Sequence, residues 1–160
     1  MDKLSHFDQE GHSRMVDVSD KALTKRIAVA GGEISMQPAT FKLIADQKIK
    51  KGNVFEVARI AGIMAAKQTP TLIPMCHPLS ITAIDILFFP KKDKSQIEIE
   101  ARVKIIGQTG VEMEAITAVS IAALTIYDMC KAVDRGMCIS NIRLIEKSGG
   151  KSGTFKRDNQ

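Results

Sequence analysis

Four charged residues fall at the two ends of one apolar run, and their types suit proton transfer. Glu112 and Glu114 precede the run, and Asp128 and Lys131 follow it, three residues apart. On a helix, that spacing puts Asp128 and Lys131 on one face, where an acid and a base can shift each other's pKa. These residues also have non-catalytic explanations: Asp128 and Lys131 can be a surface ion pair, and Glu112 and Glu114 can be carboxylates that complement the helix dipole. The residue types therefore permit acid–base chemistry but do not specify a reaction.

The separation of these two ends constrains any site that uses both. Glu114 and Asp128 are fourteen residues apart, which is about 21 Å along a helix axis. One compact pocket in a single chain cannot reach both, so either two chains build the site or the ligand is long. Mixing chains inactivated at Lys51 with chains inactivated at Asp128 would test whether these two residues come from different subunits.

The helix between these ends is apolar on nearly every side from Ala115 to Ile126. A helix that covers one face of its own sheet needs only a stripe, so this pattern predicts a second buried contact, for which another subunit is the natural candidate. The alternative is an Ala-rich helix that exposes little bulk.

Two further segments carry reactive side chains. The stretch LIPMCHPL, residues 72 to 79, is stiffened by Pro74 and Pro78 and delivers Cys76 and His77 in a constrained loop. Lys51 precedes a glycine in a polar break between two predicted helices. A histidine beside a proline can also be a packed structural residue, so these features suggest a site without identifying its reaction.

The C-terminal sequence GGKSG superficially resembles a phosphate-binding loop. That motif requires another glycine five residues before Gly150, where this chain has Ile145, and too few residues follow for the helix it must open. We expect instead a glycine-rich anion clamp in which Lys147 and Lys151 fold over a phosphate group. A solvated basic tail is the alternative.

Composition indicates one ordinary globular domain of 160 residues, with 44% hydrophobic and 26% charged residues. Three cysteines without a C-x-x-C pair fit a reducing cytoplasm and argue against a zinc site. We expect neither a signal peptide nor a membrane span. The net charge of +5 attracts polyanions, but one Tyr and no Trp offer little platform for stacking nucleic-acid bases.

The order of predicted elements is β-α-α-β-β-α-β. Residues 96 to 105 alternate strictly between apolar and polar side chains, which predicts a half-buried strand, and the longest helix is predicted from Val111 to Asp134. This order favours a ferredoxin-like α+β sandwich, an antiparallel sheet with helices on one face. We expect a flexible arm over residues 1–20, the domain over 21–147 and a flexible segment over 148–160.

Several long segments closely resemble the cyclic pyranopterin monophosphate synthases of molybdenum cofactor biosynthesis. They are MVDVS, KKGNVFEVARIAGIMAAKQT, LIPMCHPL, TGVEMEAITAVSIAALTIYDMCKAV and KSGGKSG. The resemblance implies a ferredoxin-like subunit in a homohexamer, a trimer of dimers with interfacial active sites. It implies the substrate (8S)-3′,8-cyclo-7,8-dihydroguanosine 5′-triphosphate, supplied by a radical GTP cyclase, and release of pyrophosphate. No cofactor, metal or nucleic acid is implied.

The resemblance also assigns roles to residues already noted. It implies that Asp128, Lys131 and Lys51 serve catalysis, and that substrate contacts come from Met75, Cys76, His77, Met113 and Glu114. To these we add Glu112, Lys147 and Lys151, on the chemistry of a donor-rich purine edge and of a departing pyrophosphate. The competing hypothesis from another class is a noncatalytic, ferredoxin-like oligomer that binds RNA or another polyanion.

Overall fold

The computed structural model describes residues 10–158, which form one α+β unit. The elements in chain order are β1 (Thr24–Ser35), α1 (Pro38–Ala45), α2 (Val54–Lys67), α3 (Thr69–Leu72), β2 (Ala83–Lys91), a 3-10 turn (Lys92–Lys94), β3 (Gln96–Gly107), α4 (Glu112–Cys130), β4 (Cys138–Ser148) and β5 (Phe155–Lys156). The predicted order is confirmed, with α3 and β5 added.

The five strands form one antiparallel sheet in the order β2-β3-β1-β4-β5. The first four strands match the strand order expected for a ferredoxin-like sandwich, and β5 extends the edge beside β4. The register between β1 and β4 shifts twice, and both times the extra residue lies in β4, since Gly31 pairs with Arg143 and Glu33 with Ser140.

Strand β3 shows why the alternating sequence predicts a layered fold. Its residues Ile97, Ile99, Ala101, Val103 and Ile105 are all buried. Because side chains of a strand alternate between faces, these five point to one side, where α4 contacts β1, β3 and β4. The helices therefore cover one face of the sheet, as predicted.

Close packing of α2 on α4 takes up much of the apolar surface of the long helix. Gly62 of α2 lies against α4, where a Cβ would come within 2.9 Å of the Ala118 carbonyl oxygen. Asn53 caps α2 by accepting a hydrogen bond from the Glu56 backbone N–H. The apolar circumference of α4 is thus explained largely within one chain.

Helix α4 ends four residues earlier than predicted. Beyond Cys130 the chain turns, and the buried carboxylate of Asp134 accepts hydrogen bonds from the backbone of Gln37 and Gly136 and from the Thr40 hydroxyl. These bonds tie the turn to the start of α1, so the side chain of Asp134 satisfies distant donors instead of continuing the helix.

Helix α4 is also long and apolar enough to cross a membrane, with a mean hydropathy of 1.4. More than half of that window is buried against the sheet and α2. The same composition suits a core helix, and this is the place that α4 occupies.

Candidate active site

Three predicted site residues meet at the C-terminal end of α4. The Nζ atom of Lys131 lies 2.7 Å from Oδ1 of Asp128, and the Nζ atom of Lys51 lies 3.2 Å from Oδ2 and 2.8 Å from the backbone oxygen of the same residue. All three side chains are about half exposed. We call this group the lysine–aspartate cluster.

The contacts of the cluster favour the charged forms of Asp128 and Lys131. Hydrogen bonds from Lys131 and then from Lys51 lower the pKa of Asp128 below its usual value. The same contact with Asp128 raises the pKa of Lys131. In the free chain, Asp128 is therefore a weakened base that keeps two ammonium groups side by side.

The location of Lys51 decides how the site can be divided between chains. Lys51 and Asp128 are 77 residues apart in sequence but in contact within one chain. They are consequently poor partners for the subunit-mixing test suggested by the sequence. The predicted site residues that lie far from Asp128 are at the N-terminal end of α4.

A pocket of about 350 Å³ lies at that N-terminal end. Six predicted site residues line it: Met75, Cys76, His77, Glu112, Met113 and Glu114. The first three lie in the loop between α3 and β2, and the last three lie in the first turn of α4. We call this the carboxylate pocket.

Glu114 has the most perturbed environment of the pocket. The residue is only 2% exposed, and burial raises its pKa to about 7, with a further rise from Glu112 that opposes the effect of a backbone hydrogen bond. Burial and the nearby Glu114 also raise the pKa of the Cys76 thiol. Cys76 is therefore a neutral thiol at physiological pH, and Glu114 can be present with or without its proton.

Lys147 joins this end of the site from β4. Its Nζ atom lies 2.9 Å from Oε1 of Glu112. Lys151 lies close by, in the lining of a cavity of about 440 Å³ that also contains Lys21, Thr24 and Arg26. The predicted site residues thus fall into two groups, eight at the start of α4 and three at its end.

The glycine-rich turn before Lys151 requires its glycines. Gly149 and Gly150 have φ angles of +97° and +75°, in the region that favours glycine. A Cβ on Gly150 would collide with the guanidinium group of Arg26. Arg26 in turn donates to the backbone oxygens of Gly107 and Gln108, both at 3.0 Å, so it links the turn to the loop that precedes α4.

Several residues of the site were missed by the sequence reasoning. Val16, Val18 and Lys21 line the carboxylate pocket, although the residue types of MVDVS do not by themselves predict a site. Arg26 shares a strand face with buried Ala28 and Ala30. A charged residue on a buried strand face is a sequence signal of a functional or paired group.

Comparison with known proteins gives a consistent result. A family model described as the MoaC family matches residues 15–150. Proteins named cyclic pyranopterin monophosphate synthase share 62% identity in Pelotomaculum thermopropionicum (98% of this chain, 92% of the relative) and 60% in Parvibaculum lavamentivorans (96% of each). The relative of that name in Heliobacterium modesticaldum is 60% identical over 99% of each chain. Since this similarity runs through both ends of α4 and all the loops around them, the chain belongs to the MoaC family.

Proposed function

We propose that this chain is a cyclic pyranopterin monophosphate synthase. It converts (8S)-3′,8-cyclo-7,8-dihydroguanosine 5′-triphosphate to cyclic pyranopterin monophosphate and pyrophosphate, in molybdenum cofactor biosynthesis. The observation that carries this proposal is the pairing of a carboxylate pocket with a lysine-rich cluster at opposite ends of one helix. The first suits a purine-derived ring and the second suits a polyphosphate. The free cysteines of the chain are consistent with the proposed cytoplasmic location, where thiols stay reduced.

The carboxylate pocket suits the donor-rich edge of a guanine-like ring. The ring N–H and the exocyclic amino group both donate, and carboxylate oxygens accept. Glu112 already forms an ion pair with Lys147 in the free chain, whereas the ionised form of Glu114 is favoured by a backbone hydrogen bond. Donors that approach Glu114 favour its ionised form, so we expect a proton to leave Glu114 when the ring binds near neutral pH.

The lysine–aspartate cluster suits the phosphate chemistry. A hydroxyl derived from the ribose attacks the α-phosphorus, a new P–O bond forms, and the bond to the β-phosphate oxygen breaks to release pyrophosphate. Lys51 and Lys131 supply positive charge for the oxygens that become more negative. Asp128 holds the two lysines together against their mutual repulsion. When phosphate oxygens draw a lysine away, the pKa of Asp128 rises again and its carboxylate becomes a better base. It can then take the proton of the attacking hydroxyl, and it can serve the proton transfers that open and rebuild the purine-derived rings.

We infer that one active site takes its two groups from two chains. A stripe along α4 connects the two groups. On it, Met113 and Leu124 are exposed and Ser120 is half-buried. The residue midway in sequence between Glu114 and Asp128 is Ile121. A two-fold axis near Ile121 would lay two copies of α4 antiparallel and bring each Asp128 beside the partner's carboxylate pocket.

Helix α2 supports this assembly with a second apolar stripe. Val57, Ile60 and Met64 are spaced for one helical face and are 42%, 58% and 60% exposed. Exposed apolar side chains at such spacing are typical of a face that another chain covers. A dimer built in this way is the repeating unit of the proposed homohexamer.

The test of the proposed function is turnover by isosteric variants. Asp128→Asn removes the charge that holds both lysines, and Lys131→Met removes one of them. Each should lower kcat by about 100-fold or more while size-exclusion chromatography shows unchanged assembly. Most activity surviving in either variant would contradict the role of the cluster. A protein that instead binds generic RNA with a steep salt dependence, equally well with and without Asp128→Asn, would support the noncatalytic hypothesis.

A further inference from the structure

The segment that precedes β1 reaches across the carboxylate pocket and contacts His77. The Nε2 atom of His77 lies 2.7 Å from the backbone oxygen of Val16. Val16, Val18 and Lys21 line the same pocket as His77. We call residues 15–21 the arm segment.

Two other contacts hold the arm segment in place. The side-chain amide of Gln108, in the loop before α4, donates to the Ser19 backbone oxygen at 3.1 Å. Within the segment, the Asp17 carboxylate accepts from the backbone and hydroxyl of Ser19 at 2.9 and 2.6 Å. The carbonyl of Val16 therefore lies next to a hydrogen-bonded turn that is anchored to the loop before α4.

A carbonyl oxygen can only accept a hydrogen bond, so the nitrogen that faces it must carry the proton. In a neutral imidazole, a proton on Nε2 leaves the lone pair on Nδ1. Within residues 10–158, Nδ1 has no hydrogen-bond partner, whereas the ring lines the pocket. The contact with Val16 thus selects one of two tautomers and leaves an acceptor for another molecule.

We propose that the Val16 carbonyl fixes His77 as the Nε2–H tautomer, so that Nδ1 accepts a hydrogen bond from a donor group of the substrate. The assignment rests on the proposed function for the identity of that substrate. The charged groups around the ring are Asp17 and Lys21 on the arm segment and Glu112 and Glu114 on α4. Asp17 lies close enough to His77 that a positively charged ring would lower the Asp17 pKa, in addition to the larger effect of the Ser19 hydrogen bonds.

The tautomer can be measured directly in the full-length protein without substrate. Long-range ¹H–¹⁵N correlation spectra distinguish Nε2–H from Nδ1–H, and the chain has only three histidines, so His6→Gln and His12→Gln variants assign the His77 signals. We expect the neutral His77 ring to carry its proton on Nε2. A neutral ring protonated mainly on Nδ1, or an averaged mixture of both forms, would overturn the assignment.

Two variants test whether Nδ1 faces the substrate. The amide of His77→Asn lies near the position of Nδ1, and the amide of His77→Gln lies near that of Nε2. We expect kcat/KM of His77→Asn to exceed that of His77→Gln by about tenfold, the order of one hydrogen bond. Equal values, or a higher value for His77→Gln, would mean that the contact with Val16 is only structural. If the wild-type protein fails to turn over while the Nε2–H tautomer is present, the proposed function fails and the tautomer assignment stands.

Discussion

Subunit mixing gives a sharp test of a site divided between two chains. Glu114→Gln and Asp128→Asn each change a carboxylate to an amide of the same shape, one at each end of α4, so assembly should be preserved. In a randomly exchanged equal mixture, half of the dimers contain one chain of each kind. Each such dimer holds one site with both alterations and one site with neither, so about one quarter of all sites regain wild-type composition.

The structure also supplies a matched control for this experiment. Lys51 and Asp128 contact each other in one chain, so mixing Lys51→Met with Asp128→Asn places one altered residue in every lysine–aspartate cluster. Pyrophosphate release should recover to about a quarter of wild type in the first mixture and stay at the level of the separate variants in the second. Mass spectrometry of mixtures with one ¹⁵N-labelled partner verifies exchange. No recovery in the first mixture after verified exchange would refute the division of the site between chains.

Two stability predictions follow from buried groups. Because burial raises the pKa of Glu114 from 4.5 to about 7, the folded state binds more protons than the unfolded state between these values, and its stability falls as pH rises through them. Glu114→Gln should therefore be more stable than wild type by roughly 3 kcal/mol at pH 8 and nearly equal at pH 4, measured by urea unfolding at fixed chain concentration. A pH-independent difference would contradict the raised pKa. Gly62→Ala should lower the free energy of unfolding by about 1 to 2 kcal/mol, because overpacking against the Ala118 backbone outweighs the better helix propensity of alanine; a higher melting temperature would contradict that packing.

Local sequence patterns predict much of the fold. The alternation in β3 follows from burying one face of a strand, and Asn53 caps α2 because its side chain is suited to a free backbone N–H. The end of α4 was less predictable. Asp134 leaves the helical pattern because it caps donors near the start of α1, nearly one hundred residues away in sequence.

The candidate site followed the same division between local and distant information. The rise per residue of an α-helix was enough to predict that Glu114 and Asp128 lie far apart. The sequence alone could not show that Lys51 contacts Asp128, or that Val16 contacts His77, because these contacts depend on how distant segments fold together. Arg26 was accessible to sequence reasoning, as a charged residue on the buried face of β1, and its link to two loops became visible only in three dimensions.

The most direct test of the central claim is a structure of the assembled Asp128→Asn variant with the cyclised dihydro-GTP bound. We predict one substrate molecule whose ring contacts Glu112 and Glu114 of one chain and whose phosphates contact Lys51 and Lys131 of another. A substrate held entirely by residues of a single chain would contradict it.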